Sequence, residues 1–452
     1  MKIKNRIIAM VMVAGVAVSL FTGCGQNQAD NTGVTTVSIW SGDASKKEAW
    51  TEMTEEFNNT IGKEKGVKIE WTFSTDLQQN VDVARQNEQL PDITNMTYVQ
   101  AKDFMNTGDI VPLEDVEGLA DFISDYKTVK LRDFNVFDDK LYSLMISGDA
   151  CGLIYNKDLF KAAGIVDENG EAKPPVTVDE MIECAKKLTD TKNGVYGYSF
   201  PLKFHTHYTV QLPLLSSFGA MKTCDWDNYT YDFTNNGKAF QVMLDLRDAG
   251  CLFPGAESLD NDTSRAYFAE GKIGMMPGML WDVGVLTSQF VAKCDWAVAP
   301  YPVLDESNVY PRYTDVGGPM YITKVGKEKG QAVAEAYKFL YGKESVTELY
   351  ERGLQLPSDK SLMAEDAKCD IPQFDQFMNL VQDEFVIRLE PSLKVEGDSA
   401  EVLWQKVWSG DMTIDEAVND LNKRYSDALK KGVEDGTVDV EFYRAEAEKT
   451  SD

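Results

Sequence analysis

Hydrophobic positions along this chain form one unbroken run, several short runs, and stretches spaced three and four apart. The unbroken run comes first, from Ile7 to Phe21, preceded by Lys2, Lys4 and Arg6 and stopped at Thr22, Gly23 and Cys24. At roughly 15 residues it is too short to span a bilayer comfortably, and its charged start and small-residue end make 1–23 an export signal. Small residues ahead of Cys24 open the bond to a peptidase, and the freed thiol is expected to carry a diacylglyceryl group. The alternative is an ordinary cleaved signal with an incidental cysteine, since Phe21 stands where lipoprotein signals usually place Leu. Residues 24–34 are polar and read as a flexible, lipidated tether.

The short runs alternate with helical spacings. Val34 to Trp40 reads as a strand rich in β-branched residues, ended by Ser41-Gly42-Asp43. Ala49, Trp50, Met53 and Phe57 recur at helical spacing to about Asn58, and Val67 to Phe73 forms a second strand. A helix around Gln79 to Asn87 leads to a short strand end at Pro91 to Met96, and another helix follows from Val99. This alternation predicts a parallel sheet covered on both faces. Ligands bind beyond the carboxyl ends of such strands, here the turns starting at Trp40 and near Asn95. Two helix starts are explicit, because Thr177 precedes Glu180 and Thr413 precedes Glu416 by three residues, the spacing of a capping box. No internal repeat occurs, and no second apolar stretch is long enough to cross a membrane.

Length and charge narrow the class. A chain of 452 residues exceeds one core and suits two domains of roughly 200 residues. The formal charge is −28 and becomes more negative once the signal is lost, so nucleic acid and anionic membrane surfaces are repelled. Beyond Cys24 there are six cysteines, none in a CxxC pair; they are compatible with disulfides, but their apolar contexts favour buried thiols.

Much chemistry is missing. No phosphate-binding loop, dinucleotide fingerprint or GxSxG elbow is present. With only two histidines, His205 and His207, an HExxH zinc site is impossible. Their spacing in a strand puts them on one face, yet no third ligand lies nearby, and no metal is expected. Carboxylate pairs for glycoside hydrolysis remain open, because 73 acidic residues supply many.

Several segments carry a resemblance. The strongest is Phe137-Asp138-Asp139-Lys140-Leu141-Tyr142-Ser143-Leu144, continuing through Gly152 to Phe160 and Ala163-Gly164-Ile165. Pro175 to Met181, Gly194 to Tyr198, Phe268 to Met276, the Gly278 to Trp281 turn, Ala299-Pro300-Tyr301-Pro302, Gly317-Gly318, Ala334 to Leu340 and Ser409 to Ala417 follow in order. In their order and spacing they resemble the extracellular solute-binding proteins of ABC carbohydrate importers, the maltose-binding-protein-like solute-binding family 1.

The resemblance implies an α/β, two-lobed periplasmic-binding-protein-like fold with a hinge and an interlobe cleft. Lobe one would be 35–147 with 315–357, and lobe two 148–314 with 358–452. It further implies a monomer without cofactor or catalytic residues, which captures a carbohydrate, most simply an oligosaccharide, and passes it to ABC transporter permease subunits. The lipid would be its only membrane attachment, on the extracellular face of a Gram-positive cell. Cleft residues implied are the stacking candidates Trp40 and Trp281; the strand-end residues Ser41, Asp43, Asn95 and Tyr98; Asp149 on the hinge; His205 and His207; Asp282 beside Trp281; and Gly317 and Gly318. Trp40, ending a buried strand, is equally compatible with a core role, and Trp50, Trp71, Trp404 and Trp408 read as packing. The turn carrying Trp281 is expected to be exposed. Rival readings are a secreted lipoprotein glycoside hydrolase and a same-fold receptor for a non-sugar solute such as a polyamine.

Overall fold

A computed structural model describes residues 33–128, 130–148, 150–203, 212–220, 223–307, 309–310, 316–380, 391 and 393–449. Cys24 and the signal lie outside the described residues, as do Asp149, His205 and His207.

The first sheet forms as the alternation predicts. The strand Thr35–Ser41 runs parallel to Val67–Phe73 in register from Thr35 opposite Val67 to Ser41 opposite Phe73, and parallel to Ile93–Thr94 on its other side. A strand from far downstream, Tyr321–Ile322, closes the edge antiparallel to Ile93–Thr94. Successive side chains point to opposite faces. Val37, Ile39, Val67 and Ile69 pack with Ala49, Trp50 and Phe57 of the helix Lys47–Asn59 and with Val333, Tyr337 and Leu340 of the helix Gln331–Tyr341. The opposite face is covered by Leu77, Val81 and Ala84 of the helix Leu77–Gln86 and by Ala101 and Phe104 of the helix Tyr98–Asn106.

The second sheet has the order Trp296–Ala299, Cys151–Asn156, Ile273–Met279, Tyr196–Tyr198. Cys151–Asn156 is antiparallel to both neighbours, and every one of its residues is buried. Gly278 faces Gly152 across this pairing, and a Cβ on Gly278 would meet the Ile154 side chain at 2.4 Å, so any larger residue there would have to displace Ile154. The helices Val178–Leu188 and Ile414–Glu434 begin with the two capping boxes, both complete. They bury Met181, Ala185, Ala417 and Leu421 in a core separate from the first.

Between the sheets lies a three-stranded ribbon. Ser147–Gly148 sits in the middle, antiparallel to Val316–Gly317 on one side and to Leu356–Pro357 on the other. Three crossings of the chain therefore meet side by side, the hinge arrangement of a two-lobed fold. A further bridge comes from the helix Val440–Lys449: Tyr443 stacks on Trp226 at 5.0 Å, while Arg132 pairs with Asp439 at 2.7 Å and lies 4.9 Å over the Phe442 ring.

The cysteines Cys151, Cys184, Cys224, Cys251, Cys294 and Cys369 are all free thiols, four of them buried. Burial pushes the Cys294 thiol up to about 11, which keeps it protonated and inert. Among the described residues no helix is long and apolar enough to cross a membrane.

Candidate functional site

A cavity of about 900 Å³ opens between the two sheets, floored by the ribbon. Its first wall is built where strands of the first sheet end. Ser41 is the last residue of its strand, and the turn after it is fixed by Asn95, whose Oδ1 accepts from the Gly42 N–H at 3.0 Å. Asp43 caps the following helical turn, accepting from the Ser45 N–H at 3.2 Å, and pairs with Lys46 at 2.9 Å. Burial alone would raise the Asp43 carboxyl, but Lys46 and Ser45 hold it below the usual aspartate range.

Beside this turn stands a row of rings. Trp71 stacks on Trp50 at 5.3 Å and on Phe73 at 5.1 Å, and its indole N–H donates to Thr54 Oγ1 at 2.8 Å. Both tryptophans line the cavity.

The second wall comes from the other sheet. The helix Asn261–Ala269 starts at the cavity behind its cap Asp260, which accepts from the Thr263 N–H at 2.8 Å. One turn later Arg265 is clamped, with Nε donating to Asp282 Oδ1 at 2.6 Å and Nη1 to Asp262 at 2.9 Å. Burial works against its charge, but the two carboxylates outweigh burial and raise its pKa. Asp282 also accepts from the Met279 N–H at 2.7 Å, which fixes the turn presenting Trp281 to the cavity. Trp281 is half-buried against Cys151 and Met279.

The floor is mostly backbone. Gly318 has φ of +78°, a conformation that favours glycine, and its carbonyl accepts from the Tyr341 hydroxyl at 2.9 Å. Gln355, at the entry to the third crossing, is only 4% exposed and lines the same floor.

Of the residues singled out from sequence, Ser41, Asp43, Asn95, Trp281, Gly317 and Gly318 meet in this cavity. Three do not. Trp40 points to the opposite face from Ile39 and packs against the core cluster that includes Leu77, Val81 and Tyr321, because alternation along the strand turns it away from the cleft. Tyr98 is 51% exposed and stacks on Phe134 outside the cavity. Asp282 is buried under its turn and serves Arg265. The expected exposed turn after Met276 is also corrected: the strand runs on to Met279, and the residues from Leu280 to Leu286 are buried apart from Trp281.

Sequence reasoning missed Trp50, Trp71, Lys46, Arg265 and Gln355. For Trp71 a signal existed, since it lies near the carboxyl end of the second strand, where such sheets bind ligands. For Arg265 and Gln355 no local signal existed.

Two α/β lobes joined by a three-strand ribbon, with an aromatic and polar cavity between them, define a solute-binding protein. The chain belongs to the bacterial extracellular solute-binding protein family, whose model matches residues 43–347. Over 366 residues it is 24% identical to the diacetylchitobiose binding protein DasA of Streptomyces coelicolor, covering 78% of this chain and 80% of that one. In structure it is similar to the maltose/maltodextrin-binding domain MalE of Bdellovibrio bacteriovorus bound to maltotriose, with a TM-score of 0.67 and 19% identity over 88% of this chain and 100% of that one. It is likewise similar to the GacH receptor of Streptomyces glaucescens, solved unliganded and with acarbose, with a TM-score of 0.68 and 21% identity over 88% of this chain and 99% of that one.

Proposed function

We propose that this protein captures an oligosaccharide between its lobes and delivers it unchanged to the permease of an ABC importer, from a lipid anchor on Cys24 at the outer face of a Gram-positive cell membrane. The observation that carries this reading is the pairing of Trp281 on one wall with Trp50 and Trp71 on the other, around hinge backbone and amide groups. Sugars present flat C–H-rich faces and a rim of hydroxyls, which rings and in-plane polar groups match. Relatives named for diacetylchitobiose, maltotriose and acarbose support it. We take lobe one as 35–147 with 315–357 and lobe two as 148–314 with 358–452; the separate cores support this division except just after 357, where Leu362 and Met363 pack in the core of lobe one. Ligand contact with both lobes then favours the closed form, which the permease reads.

A cationic solute is less well supported, although acidic residues line the cavity. Among the described residues, three of the four carboxylates lining it are ion-paired, Asp43 with Lys46, Asp262 with Arg265, and Asp260 with Lys203 at 3.7 Å, which leaves Asp76.

The test is thermal shift and calorimetry of the protein lacking its signal against a panel of chito-, malto- and manno-oligosaccharides, with the glycan recovered and analysed afterwards. Saturable binding of an intact glycan supports the reading, because a ligand held only by the native state raises its melting point. Silence against the whole panel, or recovery of cleaved glycan, overturns it. Palmitate labelling of the full chain and of Cys24→Ala tests the anchor.

A further inference from the structure

We infer that Gln355 is a specificity-determining residue of this cavity, its side-chain amide donating a hydrogen bond to an oxygen of the bound saccharide. The inference rests on the saccharide reading above.

Gln355 is 4% exposed, between Leu354 and Leu356, themselves 8% and 5% exposed. Leu356 opens the strand that pairs with Ser147–Gly148 at the hinge, so the glutamine is held where the lobes join rather than on one moving wall. Its Nε2 is buried and has no hydrogen-bond partner. Buried polar atoms are almost always satisfied, because removing a donor from water without replacing its bond is unfavourable.

Among the described residues, Gln355 Nε2 is the one such orphaned atom on a residue that lines the cavity; the others, such as Asp92 Oδ1 and Asn236 Oδ1, lie elsewhere. Nearby polar groups are already engaged: Lys46 by Asp43, Arg265 by Asp262 and Asp282, the Trp71 indole by Thr54. An unmade bond on a residue that lines a binding cavity is a bond left for the ligand. A rigid hinge donor discriminates sharply, since a ligand lacking the matching oxygen leaves it desolvated and unpaired.

A merely structural glutamine and a ligand-reading one differ in sign. Replacing an orphaned donor by an apolar group of similar shape removes a penalty from the empty protein, so Gln355→Met should melt at or above the wild-type temperature without ligand. The same substitution should weaken binding of the best glycan about tenfold. Gln355→Glu, which puts an acceptor where the donor stands, should bind more weakly still.

The experiment is calorimetric titration of wild type, Gln355→Met and Gln355→Glu with that glycan and with analogues each lacking one oxygen, alongside melts of the empty proteins. One analogue should bind wild type about tenfold more weakly than the parent, while Gln355→Met binds the two alike. Unchanged affinity in Gln355→Met, wild-type affinity in Gln355→Glu, or a melt of empty Gln355→Met several degrees lower would each overturn the assignment while leaving the saccharide reading intact. A wild type that binds no glycan overturns both.

Discussion

Arg265 and Asp282 form a buried pair that joins the middle of the helix Asn261–Ala269 to the turn carrying Trp281. Nε of the arginine meets Asp282 Oδ1 at 2.6 Å, and the second carboxylate oxygen holds the Met279 N–H at 2.7 Å. Removing Asp282 leaves the buried guanidinium with only the more exposed Asp262 as counter-charge and strips the Met279 N–H of its acceptor, which costs about 3 kcal/mol. Asp282→Ala should therefore lower the melting temperature strongly and free Trp281, so that ligand affinity falls as well. Asp282→Leu with Arg265→Met should recover much of the stability, because replacing both charges by apolar groups is close to neutral. Calorimetric melts of the single and double variants check this.

The two aromatic walls should respond differently. Trp281 is half-buried against little more than Cys151 and Met279, so Trp281→Ala should cost about 1–2 kcal/mol of stability and lower glycan affinity at least about tenfold. Trp71 supports Trp50 and Phe73 and bonds Thr54, so Trp71→Ala should cost about 2–4 kcal/mol in addition to its loss of affinity. Urea denaturation with and without ligand separates the two effects.

Arg132 links the first lobe to the C-terminal helix through Asp439 and the Phe442 ring. Both ion-pair partners are about half exposed, so the contact is weak. Acting between bodies hinged at the ribbon, even a weak contact shifts an open–closed equilibrium. Arg132→Ala should raise the radius of gyration of the unliganded protein in solution scattering and leave that of the saturated protein unchanged.

Acid sensitivity should trace to Asp109. Burial would raise its carboxyl, but Lys324 at 2.8 Å, Thr107 and Arg85 at 2.7 Å hold it below the usual aspartate value of 3.8. A depressed folded-state value means stability that is full above the ordinary value and lost as pH falls through the lower one. Lys324→Met weakens this hold, so the variant should be about 1 kcal/mol less stable at neutral pH. The gap should shrink as pH drops below 3.8. A series of melts between neutral and acid pH checks the convergence.

Much of this was legible in the chain. The strands Thr35–Ser41 and Val67–Phe73 and both capping boxes follow from periodicity and capping chemistry, which act over a few residues. The resemblance of scattered segments to solute-binding proteins named the fold class, and the strand-end turns at Ser41 and Asn95 were placed beside the cavity by the general rule for parallel sheets.

Tertiary structure decided which ring faces the cavity. Trp40 and Trp71 both come near the end of a strand, and alternation assigns each a face, yet only the arrangement of covering helices determines which face opens on the cleft. It also brought Tyr321 to the edge of the first sheet, Asp282 beneath Arg265, and Gln355 to the hinge floor. Periodicity records whether a position is covered, because burial repeats with the geometry of the element. It does not record by what, since partners hundreds of residues apart leave no mark on each other's local pattern.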